Sequence, residues 1–255
     1  MADLPCISVV TPVLNGAATL ERNLESVWRS RHWVCEHVVQ DAGSTDDSRA
    51  ILERWQDKTG GFVKPVFEED SGISDGFNRG LHRTTGKWIA IQNSDDWYDD
   101  EAFQHVEPYL DERLTILHGM LRQHRLDGTV RIVGNRSYDS ERHFKPLLTM
   151  PAQHPTCIIG RDVYDRVGHY NTYYKIAMDY DFLLRAHLRG VTFTHIPEVI
   201  CNFSRGGMSS ANTVQGWREM LDSKLTFLDD RISPRFWYAS KLFRYTLRNL
   251  FRRAD

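Results

Sequence analysis

From residue 7 to residue 91 the chain alternates short apolar runs with stretches of helical periodicity, and that alternation admits very few folds. Ile7-Ser8-Val9-Val10-Thr11-Pro12-Val13-Leu14 is a β-branched run ended by Asn15-Gly16, a strand followed by a turn. Leu20, Leu24, Val27 and Trp28 then recur at helical spacing. A second strand is expected over 33–41, a second helix through Ile51, Leu52 and Trp55, and a third strand over 62–67. A helix over 73–83 and a strand at Trp88-Ile89-Ala90-Ile91 complete the pattern. The expectation is an α/β fold built on a Rossmann-like, largely parallel sheet with helices on both faces.

In such a sheet, ligands bind beyond the carboxyl ends of the strands. Thr11-Pro12, Asp41, Glu68-Glu69-Asp70 and Asn93-Ser94-Asp95-Asp96 stand at four successive strand ends and predict one cleft. Further on, 114–121 and 130–133 read as a hairpin turned at Asp127-Gly128, followed by a strand near 156–159 and a helix over about 179–188. No linker separates the halves, so the second is expected to elaborate the first sheet.

Charge excludes one class of partner. Lys and Arg number 32 against 34 Asp and Glu, a net charge of -2, which argues against nucleic-acid binding through a global positive field. Cys6, Cys35, Cys157 and Cys201 lie too far apart for a zinc knuckle or a redox pair, and no His spacing proposes a zinc site. They read as reduced, mostly buried thiols, which points to the cytoplasm. The first residues lack the basic and apolar regions of a signal peptide, and no run approaches the ~20 apolar residues of a membrane span. The expected location is cytoplasmic, at most peripheral on the inner face of the membrane.

Three acidic segments carry the chemistry. Asp95 and Asp96 are adjacent carboxylates that repel one another unless a cation sits between them. Mg²⁺ or Mn²⁺ would bridge them to a diphosphate, whereas the plain alternative is a cap for the helix holding Phe103 and Val106. On a helix starting near Ile73, Asp75 and Asn78 share a face, Arg79 can approach a phosphate, and Gly76 and Gly80 leave room for close contact. The alternative there is a surface helix with a glycine cap. Asp179 and Asp181 open an apolar helix; one carboxylate can take a hydroxyl proton while the other caps the helix or orients Arg185.

Thr11-Pro12, then Val39-Gln40-Asp41-Ala42-Gly43-Ser44-Thr45-Asp46, then Asn93-Ser94-Asp95-Asp96 resemble the ordered signatures of family-2 inverting glycosyltransferases with a GT-A fold. The segment from Glu69-Asp70-Ser71-Gly72 to Asn78-Arg79-Gly80 resembles one found in bacterial polysaccharide and lipopolysaccharide enzymes, and the likeness spans roughly 5–210. It implies a metal-dependent transferase moving a sugar from a nucleoside diphosphate, UDP first, to a glycan or lipid-linked acceptor. Thr11, Pro12 and Asp41 would line the nucleoside pocket. Asp75, Asn78, Arg79, Asn93, Asp95, Arg205 and Ser209 would hold the donor sugar and diphosphate, and Asp95 and Asp96 the metal, Asp96 as the direct ligand. Asp179 would be the base, and His154 and Asp181 acceptor contacts. Asn93 replaces the first Asp of the family's Asp-x-Asp-Asp, and Met178 stands where many relatives have Glu.

On this reading 1–112 form the nucleotide-sugar half, 113–215 the acceptor half and 216–255 a helical extension. Over 236–253, Lys241, Arg244, Arg248 and Arg252 form one helical stripe opposite Phe236, Phe243, Leu247 and Leu250. Either the apolar face packs on the domain or in a homodimer, or the helix lies on an anionic membrane. Two rivals stay open: a catalytically inactive nucleotide-sugar-binding partner, and a sugar nucleotidyltransferase, although no glycine-rich, lysine-bearing loop follows the first strand. The absence of Gly-x-Gly-x-x-Gly there disfavours a dehydrogenase.

Overall fold

The apolar runs form strands where the sequence places them, and the central ones, Ile7–Val13 and Trp88–Ile91, are buried on both faces. The computed structural model describes residues 6–111, 113–134, 150, 152–204 and 212–252, with side chains as far as 247. β1 (Ile7–Val13), α1 (Ala17–Arg29), β2 (Val34–Asp41), α2 (Ser48–Lys58), β3 (Val63–Phe67), α3 (Ile73–His82) and β4 (Trp88–Ile91) follow one another in the expected order. β5 (Trp97–Tyr98) and α4 (Ala102–Val106) follow. The hairpin β6 (Thr115–His124) and β7 (Val130–Val133) comes next. The described remainder is β8 (Ile158–Gly160), α5 (Arg161–Val167), α6 (Met178–Leu188), β9 (Thr192–Ser204), α7 (Thr213–Phe227) and α8 (Ser233–Arg252).

The strands make one nine-stranded sheet in the order β3-β2-β1-β4-β8-β6-β9-β5, with β7 pairing the later part of β6, beyond β8. β1 pairs in parallel with β2 and β4, and β2 with β3, so four carboxyl ends point the same way. β8 runs antiparallel to β4, with Ala90 opposite Ile158, so the start of β8 lies at the carboxyl end of β4. That reversal makes the second half continuous with the first. Ile91, Cys157, Met178 and Phe182 accordingly share one buried cluster with Val10 and Phe77.

The glycines of α3 have a packing reason. A Cβ on Gly80 would collide with the Val10 side chain, and one on Gly76 would stand 2.8 Å from Asp70 Oδ2 and 3.3 Å from Pro12 Cβ. The helix therefore gives up propensity, about 1 kcal/mol per glycine, to lie directly on β1.

The expectation of four reduced thiols is corrected for two of them. The parallel pairing of β1 and β2 brings the Cα atoms of Cys6 and Cys35 within 5.4 Å, and the two are joined by a disulfide. Widely spaced cysteines conceal this, since parallel partners lie a whole β-α-β crossover apart. Cys157 and Cys201 are free and buried, as small apolar side chains would be. Closing a loop of this length contributes about 3–4 kcal/mol in the chain-entropy picture. Cys35→Ser should therefore lower the free energy of unfolding, measured by denaturant titration, by that much in oxidising buffer, and dithiothreitol should reproduce the loss in the wild type only.

Candidate active site at the carboxyl ends of the strands

The four polar clusters meet. Asn15, in the left-handed region at φ 55°, accepts the Thr45 N–H through its side chain at 2.8 Å, and its own N–H donates to Ser44 at 2.9 Å. The end of β1 is thereby tied to the end of β2. Asp46 accepts from Ser48 N at 3.0 Å and from Ala17 N at 2.9 Å, so one carboxylate serves the starts of α1 and α2. Glu68 N donates to the Asp41 carbonyl at 3.0 Å, which adds the end of β3. The remaining gap to β4 is closed by Gly16, beside Ser94.

Asp41 is buried at the end of β2. Its Oδ1 accepts from Gly43 N at 2.9 Å and Ser44 N at 2.7 Å, and its Oδ2 is buried with no protein partner. A fixed carboxylate with one idle lone pair is an acceptor for an N–H of a bound base. Pro12 is half-buried beside Asp70 and Gly76. Thr11, by contrast, is fully buried, and its hydroxyl meets His37 Nε2 at 2.8 Å and Asn23 Oδ1 at 3.5 Å. It supports the cleft floor from within.

Asn23, which sequence reading missed, organises the acidic loop. Its Nδ2 donates to Gln92 Oε1 at 2.9 Å and to the carbonyls of Asn93 and Asp96 at 3.0 and 3.1 Å. Asp96 is fully buried; its Oδ1 accepts from Ser204 N at 3.0 Å and its Oδ2 from Asn93 Nδ2 at 3.4 Å. Burial, then repulsion from Asp95, pushes the Asp96 carboxyl well above the usual range, and burial also raises Asp95, the more accessible of the two. Asn93 Oδ1 is buried without a partner. Arg22 crosses above the loop: its guanidinium stacks on Trp97 at 3.5 Å and donates to the Asp95 carbonyl and the Ser204 hydroxyl, both at 3.2 Å. An exposed arginine on α1 carries no sequence signal for this.

Among the described residues no three His, Cys, Asp or Glu side chains converge as a complete metal cage. The donor set nevertheless fits a hard divalent cation shared with a substrate. Two carboxylates short of charge compensation and an idle amide oxygen suit Mg²⁺ or Mn²⁺, which keep few protein ligands and take the rest from phosphate and water.

Asp75 accepts from Ser71 N at 2.9 Å and from Arg79 Nε at 3.0 Å, and Arg79 also reaches Glu68 at 3.3 Å. These hydrogen bonds, that of Ser71 N first, hold the Asp75 carboxyl below its ordinary range despite some burial. Asn78, read as a donor contact, spends both ends of its amide on the backbone of Tyr170, donating to its carbonyl at 2.8 Å and accepting its N–H at 3.0 Å. Lys175 Nζ donates to the Ser71 carbonyl at 2.9 Å and Ser74 Oγ to that of Tyr174 at 2.8 Å. Asn78, Ser74 and Lys175 therefore hold the segment leading into α6 against α3.

Asp179 stands at the head of α6. Its Oδ1 accepts from Tyr180 N at 2.7 Å, and burial pushes its carboxyl up to about 6, with the charge of Glu219 adding to the shift. Its neighbour Met178 shares a buried cluster with Cys157, which immediately precedes β8, and with Ile91 at the end of β4. Asp179 thus lies at the same sheet end as Asp95 and Asp96. It lines a cavity of about 210 Å³ with Ile176, Tyr180, Trp217 and Met220. Glu219 of α7, also missed from sequence, accepts from the N–H groups of Ile176 at 2.8 Å and Ala177 at 2.9 Å and so fixes the approach to α6.

Asp181 is fully buried, accepting from Arg185 Nε at 2.9 Å and Ser223 Oγ at 2.9 Å; Arg185 in turn holds the Val167 and His169 carbonyls. Both carboxylate oxygens of Asp181, read as an acceptor contact or as an orienter of Arg185, are thus engaged inside the protein. His154 is buried, stacked on Phe77 and bonded to Tyr170 Oη at 2.9 Å, and burial lowers its pKa to about 4. Arg205 and Ser209 lie outside the described residues.

Residues 8–168, which carry β1 through α5 and most of this cleft, match the model described as glycosyl transferase family 2. The chain belongs to that family. A "PGL/p-HBAD biosynthesis glycosyltransferase" of Mycobacterium bovis is 26% identical over 214 residues, 81% of this chain and 80% of the relative. Among solved structures, Staphylococcus aureus TarS 1-349 in complex with UDP-GlcNAc superposes with a TM-score of 0.65 at 18% identity, over 92% of this chain and 71% of that one. The mannosyltransferase PcManGT of Pyrobaculum calidifontis, in complex with GDP-Man and Mn2+, gives 0.66 at 18% identity, over 88% and 64%. The fold of the family-2 chain is GT-A. It is a glycosyltransferase by family, and the mixed sheet with flanking helices is the one expected from its sequence.

Proposed function

We propose that this glycosyltransferase moves a sugar from a UDP-sugar to an acceptor hydroxyl with inversion, in assembly of a surface polysaccharide or glycolipid. The observation that carries the reading is that the Asp95–Asp96 pair following β4 and Asp179 at the head of α6 stand at one end of the sheet, where Met178 shares a buried cluster with Ile91 and Cys157. Asp41 Oδ2 and Pro12 receive the nucleoside. Asp95, Asp96 and the Asn93 amide oxygen would hold Mg²⁺ or Mn²⁺, which when bound supplies positive charge for the departing diphosphate. Arg22 adds a guanidinium at the same place, and Arg79 one on the neighbouring helix.

Asp179 accepts the proton of the acceptor hydroxyl as its oxygen attacks the anomeric carbon and the bond to the diphosphate breaks. One base and no protein nucleophile give a single displacement, hence inversion. The acceptor is placed in the cavity beside Asp179, where Trp217 offers an aromatic wall. Asn78, His154 and Asp181 act by positioning the 170–181 segment. Complexes of related folds with UDP-GlcNAc and with GDP-Man and Mn2+ support a nucleotide-sugar donor and a divalent metal.

A thermal-shift panel of nucleotides tests the donor assignment. UDP with Mn²⁺ is expected to raise the melting temperature more than GDP or dTDP, by about 2.7 kcal/mol of added stability at a hundred times its Kd. The effect should vanish in Asp41→Ala. A larger GDP shift would overturn the choice of UDP, and a product retaining the donor's anomeric configuration by NMR would overturn the single displacement.

A further inference from the structure

The C-terminal helix reverses the more conventional of the two arrangements its sequence allows. Among the described side chains of α8, Pro234 and Trp237 are buried, and Trp237 lies beneath Lys224 of α7, whose Nζ stands 3.3 Å from the indole centroid. Tyr245 meets Trp217 edge-on at 5.7 Å, and Lys241 lies over the same indole at 5.8 Å. The side of α8 turned to the domain is thus the one bearing Lys241. Phe236 and Phe243 are 76% and 66% exposed, and Leu247 is exposed with them. At 100° per residue these three fall within about 40° of one another, roughly opposite Lys241. Ile232, 80% exposed, extends the apolar surface at the helix start.

We propose that this outer stripe docks on an anionic lipid bilayer, with α8 lying in the plane of the headgroups. Charge selects this occupant. From Ser233 to Arg252 the helix carries Arg235, Lys241, Arg244, Arg248 and Arg252 and no acidic residue. Exposed Arg235 and Arg244 flank the apolar stripe, one on each side, where their stems can follow the apolar surface and their guanidinium groups reach lipid phosphates. A second copy set against the same stripe would bring two such cationic helices together, whereas anionic headgroups neutralise them. No helix among the described residues is long and apolar enough to cross a membrane, so the contact is interfacial. α7 joins the two regions: its Trp217 touches α8 on one side and lines the Asp179 cavity on the other. Docking would therefore place that cavity close to the bilayer surface.

Flotation of the full chain with vesicles of phosphatidylcholine alone, or mixed equally with phosphatidylglycerol, tests this. The wild type should float with the mixed vesicles and release as salt rises. Phe236→Ser/Phe243→Ser should reduce partitioning on the order of a hundredfold, because two exposed phenyl groups no longer enter the interface. Arg235→Glu/Arg244→Glu should abolish the preference for phosphatidylglycerol. An unchanged UDP-induced thermal shift in both variants shows that fold and donor site are intact, so failure of docking and failure of the transfer reading separate. Absence of wild-type flotation, equal flotation of the Ser variant, or a wild-type dimer that this variant dissolves would each overturn the proposal.

Discussion

Asp179→Asn is expected to lower transfer by about a thousandfold while making the protein more stable at neutral pH. A positioned general base contributes on the order of 10²–10⁴ in rate, and Asn cannot accept the acceptor's proton. The stability gain comes from the same burial that tunes the base. The folded carboxyl sits at about 6 against an ordinary 3.8, so the folded state binds its proton more tightly than the unfolded chain does. Between those two values stability falls as pH rises, and above about 6 the ionised Asp179 costs roughly 3 kcal/mol. Asn avoids that cost and can still accept the Tyr180 N–H. Thermal melts at pH 7.5 should favour the variant by several degrees, and at pH 4 the advantage should disappear. Wild-type kcat should climb about tenfold per pH unit below 6 and level off above it, as the carboxyl ionises. Unchanged turnover in the variant would remove Asp179 as the base. Equal melting at both pH values would remove the burial account.

Asp96→Asn should separate folding from metal use. The Ser204 N–H bond to Asp96 survives in the amide, and a buried, mutually repelling pair of carboxylates becomes a single charge. The metal-free variant is expected to melt at or above the wild-type temperature. Activity should fall by about a hundredfold or more, since stabilisation of the departing diphosphate is lost. The additional thermal shift that Mn²⁺ gives to UDP binding should also vanish. EDTA should reproduce the loss of activity in the wild type and leave the variant unaffected. If Mn²⁺ and UDP stabilise both proteins equally, Asp96 does not hold the cation, and accessible Asp95 with Asn93 becomes the remaining set.

Much of this molecule was legible in its residues because local rules govern it. Continuous apolar runs and period-3.6 patterning give the strands and helices of the first half. Turn chemistry gives the Asn15-Gly16 corner and the hairpin at Asp127-Gly128. Parallel topology then forces Thr11-Pro12, Asp41, Glu68-Asp70 and Asn93-Asp96 to one end of the sheet. The position of Asp179 at a helix start followed from the apolar face behind it.

What sequence could not supply depended on side chains meeting across large separations. Asn23 binding the 93–96 loop, Arg22 over Asp95, Glu219 at the head of α6 and the Cys6–Cys35 bond all join residues with no mutual periodicity. Thr11, Asn78 and His154 are polar residues in the right places whose bonding atoms turned out to be used inside the protein. Sequence determined both faces of α8 but not which of them points outward. That was decided by tertiary packing, because α8 docks through Trp237 beneath Lys224, and helical geometry then turns Phe236 and Phe243, about 100° or more away, to the outside.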